Sequence, residues 1–449
     1  MAIFDEFFNP NSIAVIGASG NPEKIGHIIL ENLKHSFKGE LYPINPGLTE
    51  ILGLEAYSSV KEVEGKIDLA IVAVPAEIVK DVVNDCIKKK IKGVIIISSG
   101  FSEIGEKERE KALEKLKGKI RIIGPNCLGV FVPNKLDMLF LDKKKLKRPH
   151  DGSIGIITDS GAIGGALLDL ASNEGIGISK FASIGNKIDV DEVDLLKYLG
   201  KDVDTRSIAI YLESTSRGTD LIKEAKKINK PIIAFKAGKT QEGGEAVASH
   251  TGALSGSGKV FSVAFKQSGI IEASSIEDLF DYSKVLSTQP ALTGKKIAVI
   301  TDGGGFGIIC VDALVKNGFE VNEFSKETQK KLKKLLPDYG ILKNPVDLTG
   351  NADTEMYQKA IDIVMKDKDV DGVIVVTLFQ LPGIGDDIIN VLRDAKMHGK
   401  PFVVCATGGE YTLERTRRLE KFGIPVYPTP LRAANALKCL LEYGNISKK

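Results

Sequence analysis

Three segments of this chain share one design, and that echo limits what it can fold into. Residues 12–20 (SIAVIGASG), 153–165 (SIGIITDSGAIGG) and 296–307 (KIAVITDGGGFG) each run a short Ile/Val stretch into a Gly/Ser/Asp turn and then into a helical pattern. Continuous β-branched runs are the mark of parallel strands buried on both faces, and glycine lets the strand-to-helix turn tighten or approach a ligand. Further strands follow each opening: 69–75, 93–100 and 120–126 after the first, 179–186, 207–214 and 231–238 after the second, 372–378 and 401–409 after the third. Charged helical stretches such as EIGEKEREKALEKLKG lie between them. Alternating strands and helices predict α/β architecture, here as three successive doubly wound parallel-sheet domains.

The length agrees, since 449 residues at roughly 150 per domain give about three. Polar Pro/Gly-containing stretches at 142–152 and 287–295 directly precede the second and third openings, so the expected domains are 1–130, 150–288 and 294–449. Apolar residues at 43% exclude a disordered chain. Lys+Arg 61 against Asp+Glu 59 leaves a charge of +2, which gives no footprint for nucleic acid. No apolar run reaches the roughly 18 residues of a membrane span, and the first residues lack a signal peptide's basic n-region and small-residue cleavage site, so the expected location is cytoplasmic. Five scattered cysteines without a CxxC pair argue against a disulfide framework and against zinc, so no metal site is expected. Abundant Lys and Glu with scarce Gln hint at a heat-adapted source.

In open α/β sheets, ligands sit beyond the carboxyl ends of the strands. Gly17, Ala18, Ser19 and Gly20 follow the first strand and would offer backbone N–H groups to a phosphate, or equally serve plain tight-turn packing. The second strand ends at Ile44-Asn45 without the carboxylate that grips a ribose in dinucleotide folds, which disfavours NAD. In the second domain, Ser160, Gly161 and Ala162 set a hydroxyl and small residues at a helix N-terminus, which favours an anion site over the alternative, an ordinary serine cap.

Four of the five histidines sit in charged helical or linker contexts. His250 instead lies in KTQEGGEAVASHTGALSGSG (239–258), expected to be a long mobile loop directly after a strand. Glu213 ends the strand IAIYLES, where it could fix the tautomer of that imidazole; alone, it reads better as a surface residue at a strand end. Cys127, in GPNCLG, reads as a small buried residue rather than a nucleophile.

Taken together, GASG, NP after the second strand, AVP, SSGF, GPNCLG, SGAIGG, SIGN, LES and SHTGALSG make the chain resemble the nucleoside-diphosphate-forming acyl-CoA synthetases (acetyl-CoA synthetase among them) of the succinyl-CoA synthetase superfamily. Within these, it is most similar to the α subunits of archaeal ADP-forming acetate–CoA ligases. The resemblance implies a Rossmann-like CoA-binding domain followed by two flavodoxin-like domains. It implies that Gly17, Ala18, Ser19, Gly20, Asn45, Val74, Pro75, Ser98, Ser99, Gly100 and Asn126 line a coenzyme A site. Ser160, Gly161, Ala162, Gly185 and Asn186 would hold phosphate or acyl phosphate. His250 would be phosphorylated, with Glu213 in support. No ATP-grasp module is visible in the sequence, so the resemblance implies a separate β subunit binding ADP/ATP with Mg²⁺, in an α₂β₂ heterotetramer. The alternatives are a ligase for succinate or an aryl acetate, or a non-catalytic CoA-binding regulatory protein of the same superfamily.

Overall fold

A computed structural model describes residues 4–251, 258–338 and 340–447, the side chains of 248–251 excepted. The chain forms two compact units, Met1–Ser172 with Gly177–Leu279, and Asn173–Ile176 with Phe280–Lys449.

The first unit holds two large sheets. In one, Ser12–Ile16 lies between Glu40–Ile44 and Leu69–Val72, followed by Gly93–Ile96 and Arg121–Ile123, all parallel. Its three inner strands are wholly buried, as their continuous Ile/Val content requires when helices cover both faces. In the other, Asp151–Thr158 lies between Ser207–Leu212 and Ile178–Ser183, with Ile232–Lys236 and Ile271–Glu272 beyond the former. The far edge is an antiparallel hairpin, Gly129–Val132 and Leu136–Asp137, reached directly from GPNCLG. The chain therefore crosses from the first sheet to the second at Gly129, and one apolar core, including Ile13, Val130, Met138 and Ile157, runs through both.

Ion pairs reinforce that junction. Arg121, on the last strand of the first sheet, donates from Nε to Asp189 (2.8 Å) and from Nη2 to Asp194 (3.3 Å). Asp191 caps the helix Glu192–Lys201 by accepting from the N–H groups of Val193 and Asp194, which satisfies two donors of its first turn.

The second unit has one parallel five-stranded sheet, in the order Val346–Asp347, Ile297–Thr301, Gly372–Val376, Phe402–Cys405, Val426–Tyr427. Its last helix, Pro430–Ile446, is capped by the Thr429 side chain and carries Pro at its start, where a missing N–H costs nothing. Among the described residues, no helix is long and apolar enough to cross a membrane.

The histidine stretch departs from the expected loop. Gln241–Thr251 is an α-helix, and it includes the His250 backbone. Thr240 starts it by accepting the Gly243 N–H at 3.0 Å, and Val247 buries itself on one face. Ala246 and Ala248 add good helix formers, so the two glycines do not prevent the helix. Composition pointed to a loop because glycine and serine dominate the second half, 252–257, which lies outside the described residues.

Candidate functional site

The first unit contains a cavity of about 780 Å³ at the carboxyl ends of its strands, within the usual range of small-molecule sites. The first sheet contributes Val74, Pro75, Ser98, Ser99 and Asn126. The second contributes Ser160, Gly161, Ala162, Gly185, Asn186 and Glu213. The sequence thus singled out residues far apart in the chain that the fold brings to one place.

Other residues singled out with them stand off this cavity. Gly17, Ala18, Ser19, Gly20, Asn45 and Gly100 do not line it. Gly17 has φ +92°, and a Cβ there would lie 2.3 Å from the Ala73 carbonyl oxygen, so this glycine serves close packing of the turn on the neighbouring strand. Asn45 holds the same turn, donating to Ala18 O and accepting from Gly47 N–H, both at 2.8 Å. The turn does not open a helix directly: Ile25–Ser36 begins five residues after Gly20, and its buried His27 bonds through Nδ1 to Ser19 O at 2.8 Å. Gly100 donates its N–H to Glu103 Oε1 at 2.6 Å.

The turn after Asp151–Thr158 has the geometry of an anion cradle. Thr158 Oγ1 accepts the Ser160 N–H (3.1 Å) and donates to Ser160 O (2.8 Å), so the backbone doubles back before the helix Gly161–Glu174. The Gly161 and Ala162 N–H groups take no partner among the described residues and lie at the positive end of that helix. Ser160 also caps, accepting the Ile163 N–H at a long 3.4 Å, so the cap and the cradle coexist.

Beneath the turn lies a charged cluster that the sequence reading did not assign. Asp159 Oδ2 accepts from the Glu213 N–H (2.8 Å) and from Lys187 Nζ (2.9 Å), while Lys187 also donates to Ser214 O (2.6 Å) and sits 3.3 Å from Glu192. Burial alone would pull the Lys187 ammonium down, but Asp159 and Glu192 outweigh it and hold it above the usual lysine range. Burial pushes the Asp159 carboxyl up, against the pull of Lys187. Lys236, buried at the end of the adjacent strand, has its ammonium 4.9 Å from the Phe261 ring centre; burial holds its pKa below the usual range. The available signal was a single charge inside an apolar strand end, as in ITDSG and IIAFKAG.

Glu213 is buried, with 7% of its surface exposed, and so is not the solvated strand-end residue that composition alone favoured. Asn186 joins the two domains, donating to Glu103 Oε2 and Glu110 Oε2, each at 2.7 Å. Gly185 has φ +56°, and a Cβ there would meet the Pro125 carbonyl oxygen at 2.2 Å, so only glycine lets this loop lie against GPNCLG. Cys127 is buried, donates to Ile96 O, and burial pushes its thiol up to about 12, which makes it inert. The helix carrying His250 packs against the turn Ser102–Ile104, beside Asn186's carboxylate partners; the His250 side chain lies outside the described residues.

The third opening repeats the second turn. Thr301 Oγ1 accepts the Gly303 N–H and donates to Gly303 O, and Asp302 Oδ2 accepts the Leu378 N–H at 2.7 Å. Leu378 occupies the place that Glu213 holds in the second domain, so this copy lacks the carboxylate.

Family models match the chain in three successive stretches. A CoA binding domain model matches residues 11–133, a succinyl-CoA ligase like flavodoxin domain model 151–286, and a ligase-CoA domain model 297–437. The α subunit of acetate–CoA ligase [ADP-forming] II of Pyrococcus furiosus is 37% identical, with 98% of each chain covered. The α subunit of acetate–CoA ligase [ADP-forming] I of the same organism is 40% identical over 99% of this chain and 98% of its own. Acetate–CoA ligase [ADP-forming] of Methanocaldococcus jannaschii is 40% identical over 98% of this chain but only 63% of its own, longer one. Among solved structures, the dinucleotide forming acetyl-coenzyme A synthetase 1 of Ca. Korarchaeum cryptofilum, in complex with phosphate and ADP, superposes with a TM-score of 0.91 at 39% identity, covering 100% of this chain and 98% of its own. With near-complete matches of this kind and three family domains in the same order, the chain belongs to the ADP-forming acetate–CoA ligase family and corresponds to its α subunit.

Proposed function

We propose that this chain is the α subunit of an ADP-forming acyl-CoA synthetase working in the cytoplasm. It would interconvert acyl-CoA, phosphate and ADP with a carboxylic acid, acetate foremost, CoA and ATP. The observation that carries the reading is the single cavity where Val74, Pro75, Ser98, Ser99 and Asn126 face the Ser160–Gly161–Ala162 turn and Glu213.

Each element then has a chemical task. Gly17 to Gly20, Asn45 and Gly100, standing off the cavity, take the phosphate-bearing end of CoA, while the cavity receives the thioester. Phosphate binds at the Gly161 and Ala162 N–H groups, with Gly185 and Asn186 closing its far side. A phosphate oxygen attacks the thioester carbonyl; the C–S bond breaks, and the proton lost by phosphate ends on the departing thiol. His250 then attacks phosphorus, the P–O bond to the acyl carboxylate breaks, and phosphohistidine forms. Glu213 holds the imidazole's other N–H and steadies the charge that develops. The segment bearing His250 carries the phosphoryl group to ADP on a partner.

That partner is an ATP-grasp β subunit holding ADP/ATP and Mg²⁺, in an α₂β₂ assembly. The match to α subunits along the whole chain supports this, as does the greater length of the Methanocaldococcus jannaschii relative. The test is to supply acetyl-CoA, phosphate and ADP to the pure chain and to its mixture with an ATP-grasp subunit. The chain alone should bind CoA without making ATP, and the mixture should make ATP. ATP synthesis by the chain alone, or none by the mixture, would overturn the reading.

A further inference from the structure

One corner of the cavity is lined by apolar side chains and two glycines of one helix. On the helix Gly161–Glu174, Gly161 and Gly165 are four residues apart and share a face. A Cβ on Gly161 would lie 3.5 Å from Leu128 Cβ, and one on Gly165 would lie 3.3 Å from Leu141 Cδ1. These four residues and Phe140 all line the cavity. They form an apolar niche beginning at the turn that holds phosphate and ending about 6 Å further along the helix, at 1.5 Å per residue.

The wall of this niche is irregular chain, yet it is firmly anchored. Buried Asn32 donates to Leu139 O at 2.8 Å and to Leu141 O at 3.4 Å. Arg148 donates to Leu141 O at 2.6 Å and to Leu146 O at 2.7 Å, and its Nε bonds Asp137, which is 2% exposed. A buried amide and a buried ion pair holding one short loop define a fixed surface rather than a yielding one.

In an acyl phosphate, the acyl carbon is bonded to a phosphoryl oxygen, so its substituent lies next to the groups that hold the phosphoryl. Here the side chains beside those groups, Leu128, Phe140 and Leu141, are apolar. Among the described residues, the charged ones lining the cavity are Asp159, Lys187 and Glu213, and Lys187 is already engaged by two carboxylates. A second carboxylate on the acid would find no unengaged cation among these described residues, and a buried unpaired charge is costly. We infer that Leu141, fixed by Asn32 and Arg148, sets the acyl limit and restricts this site to short, uncharged aliphatic acids, excluding dicarboxylic and aryl acids. The inference rests on the function proposed above and adds its substrate boundary.

The test uses the complex with its ATP-grasp partner and compares kcat/KM for acetate, butyrate, hexanoate, phenylacetate and succinate. The wild type should favour acetate over hexanoate, phenylacetate and succinate. Leu141→Ala should raise the hexanoate-to-acetate ratio by about tenfold or more, the scale on which a pocket senses added methylenes. Leu141→Phe should lower the butyrate-to-acetate ratio. The isolated chain gives a second readout: Leu141→Ala should improve affinity for hexanoyl-CoA relative to acetyl-CoA, and Leu141→Val gives the same direction more weakly should the alanine variant unfold. Unchanged ratios in both Leu141→Ala and Leu141→Phe with acetate turnover intact, or wild-type use of succinate as good as acetate, would overturn the niche alone. No turnover of any acid by the complex would overturn the function beneath it.

Discussion

The backbone N–H of Glu213 donates to Asp159 Oδ2 at 2.8 Å, so the turn that ends one strand sets the carboxylate that ends its neighbour. The same oxygen holds Lys187, which places a cation and two carboxylates in register beneath the Ser160 turn. The third domain repeats the bond with Asp302 and Leu378, where the side chain carries no charge.

Asp159→Asn keeps the shape but leaves Lys187 facing Glu192 alone. Removing one partner of a buried pair costs about 3 kcal/mol or more, and the remaining carboxylate should hold the loss near the bottom of that range. Denaturant unfolding should show it as a lowered midpoint. An unchanged unfolding midpoint would mean that the pair contributes no stability.

Glu103 provides the pH test. Burial pushes its carboxyl up, but the Asn186 amide and the Gly100 and Phe101 N–H groups outweigh burial and hold it below the usual range. A group lowered in the folded state stabilises fully above its unfolded value, about 4.3, and that contribution disappears as pH falls through the lower folded value. The junction should therefore weaken on the acid side, and Glu103→Gln should flatten that part of the stability curve. Unfolding midpoints between about pH 2 and 6 for both proteins decide it.

Gly17 and Gly20 should respond differently. Gly17→Ala forces a Cβ against the Ala73 carbonyl at positive φ, and should destabilise the fold by about 2 kcal/mol or more. Around Gly20 the nearest atom to an added Cβ is Leu48 Cδ1 at 3.8 Å, so Gly20→Ala should fold normally. A loss of CoA affinity in that variant, measured by calorimetry, would tie the turn to the coenzyme.

His250→Ala should abolish formation of acid-labile, base-stable phosphate on the protein when it is incubated with acyl phosphate. Glu213→Gln should slow it by about 10²-fold, the size of orienting and charge-stabilising effects. Wild-type rates in the glutamine variant would remove Glu213 from the mechanism.

Cys127, with its thiol raised to about 12 and buried, should resist alkylation in the native protein, and Cys127→Ala should retain phosphorylation at His250. Mass spectrometry after iodoacetamide treatment checks the first point directly.

The sequence by itself determined the three α/β units, because buried parallel strands write themselves as unbroken runs such as IAVI, IGII and IAVI before a glycine turn. It also carried the residues that converge on the cavity, from Val74 to Glu213, since loops at strand ends are where such motifs sit. It misjudged the Gln241–Thr251 helix, where glycine content hid a threonine cap and a buried valine. Only the tertiary structure decided that Gly17 packs against the Ala73 carbonyl, that the chain changes sheets at Gly129, that Asp159, Lys187 and Lys236 form a buried cluster, and that Leu141 walls the niche. These depend on which distant backbone lies within a few ångströms, and local composition does not encode a distance between residues 17 and 73 or 141 and 165.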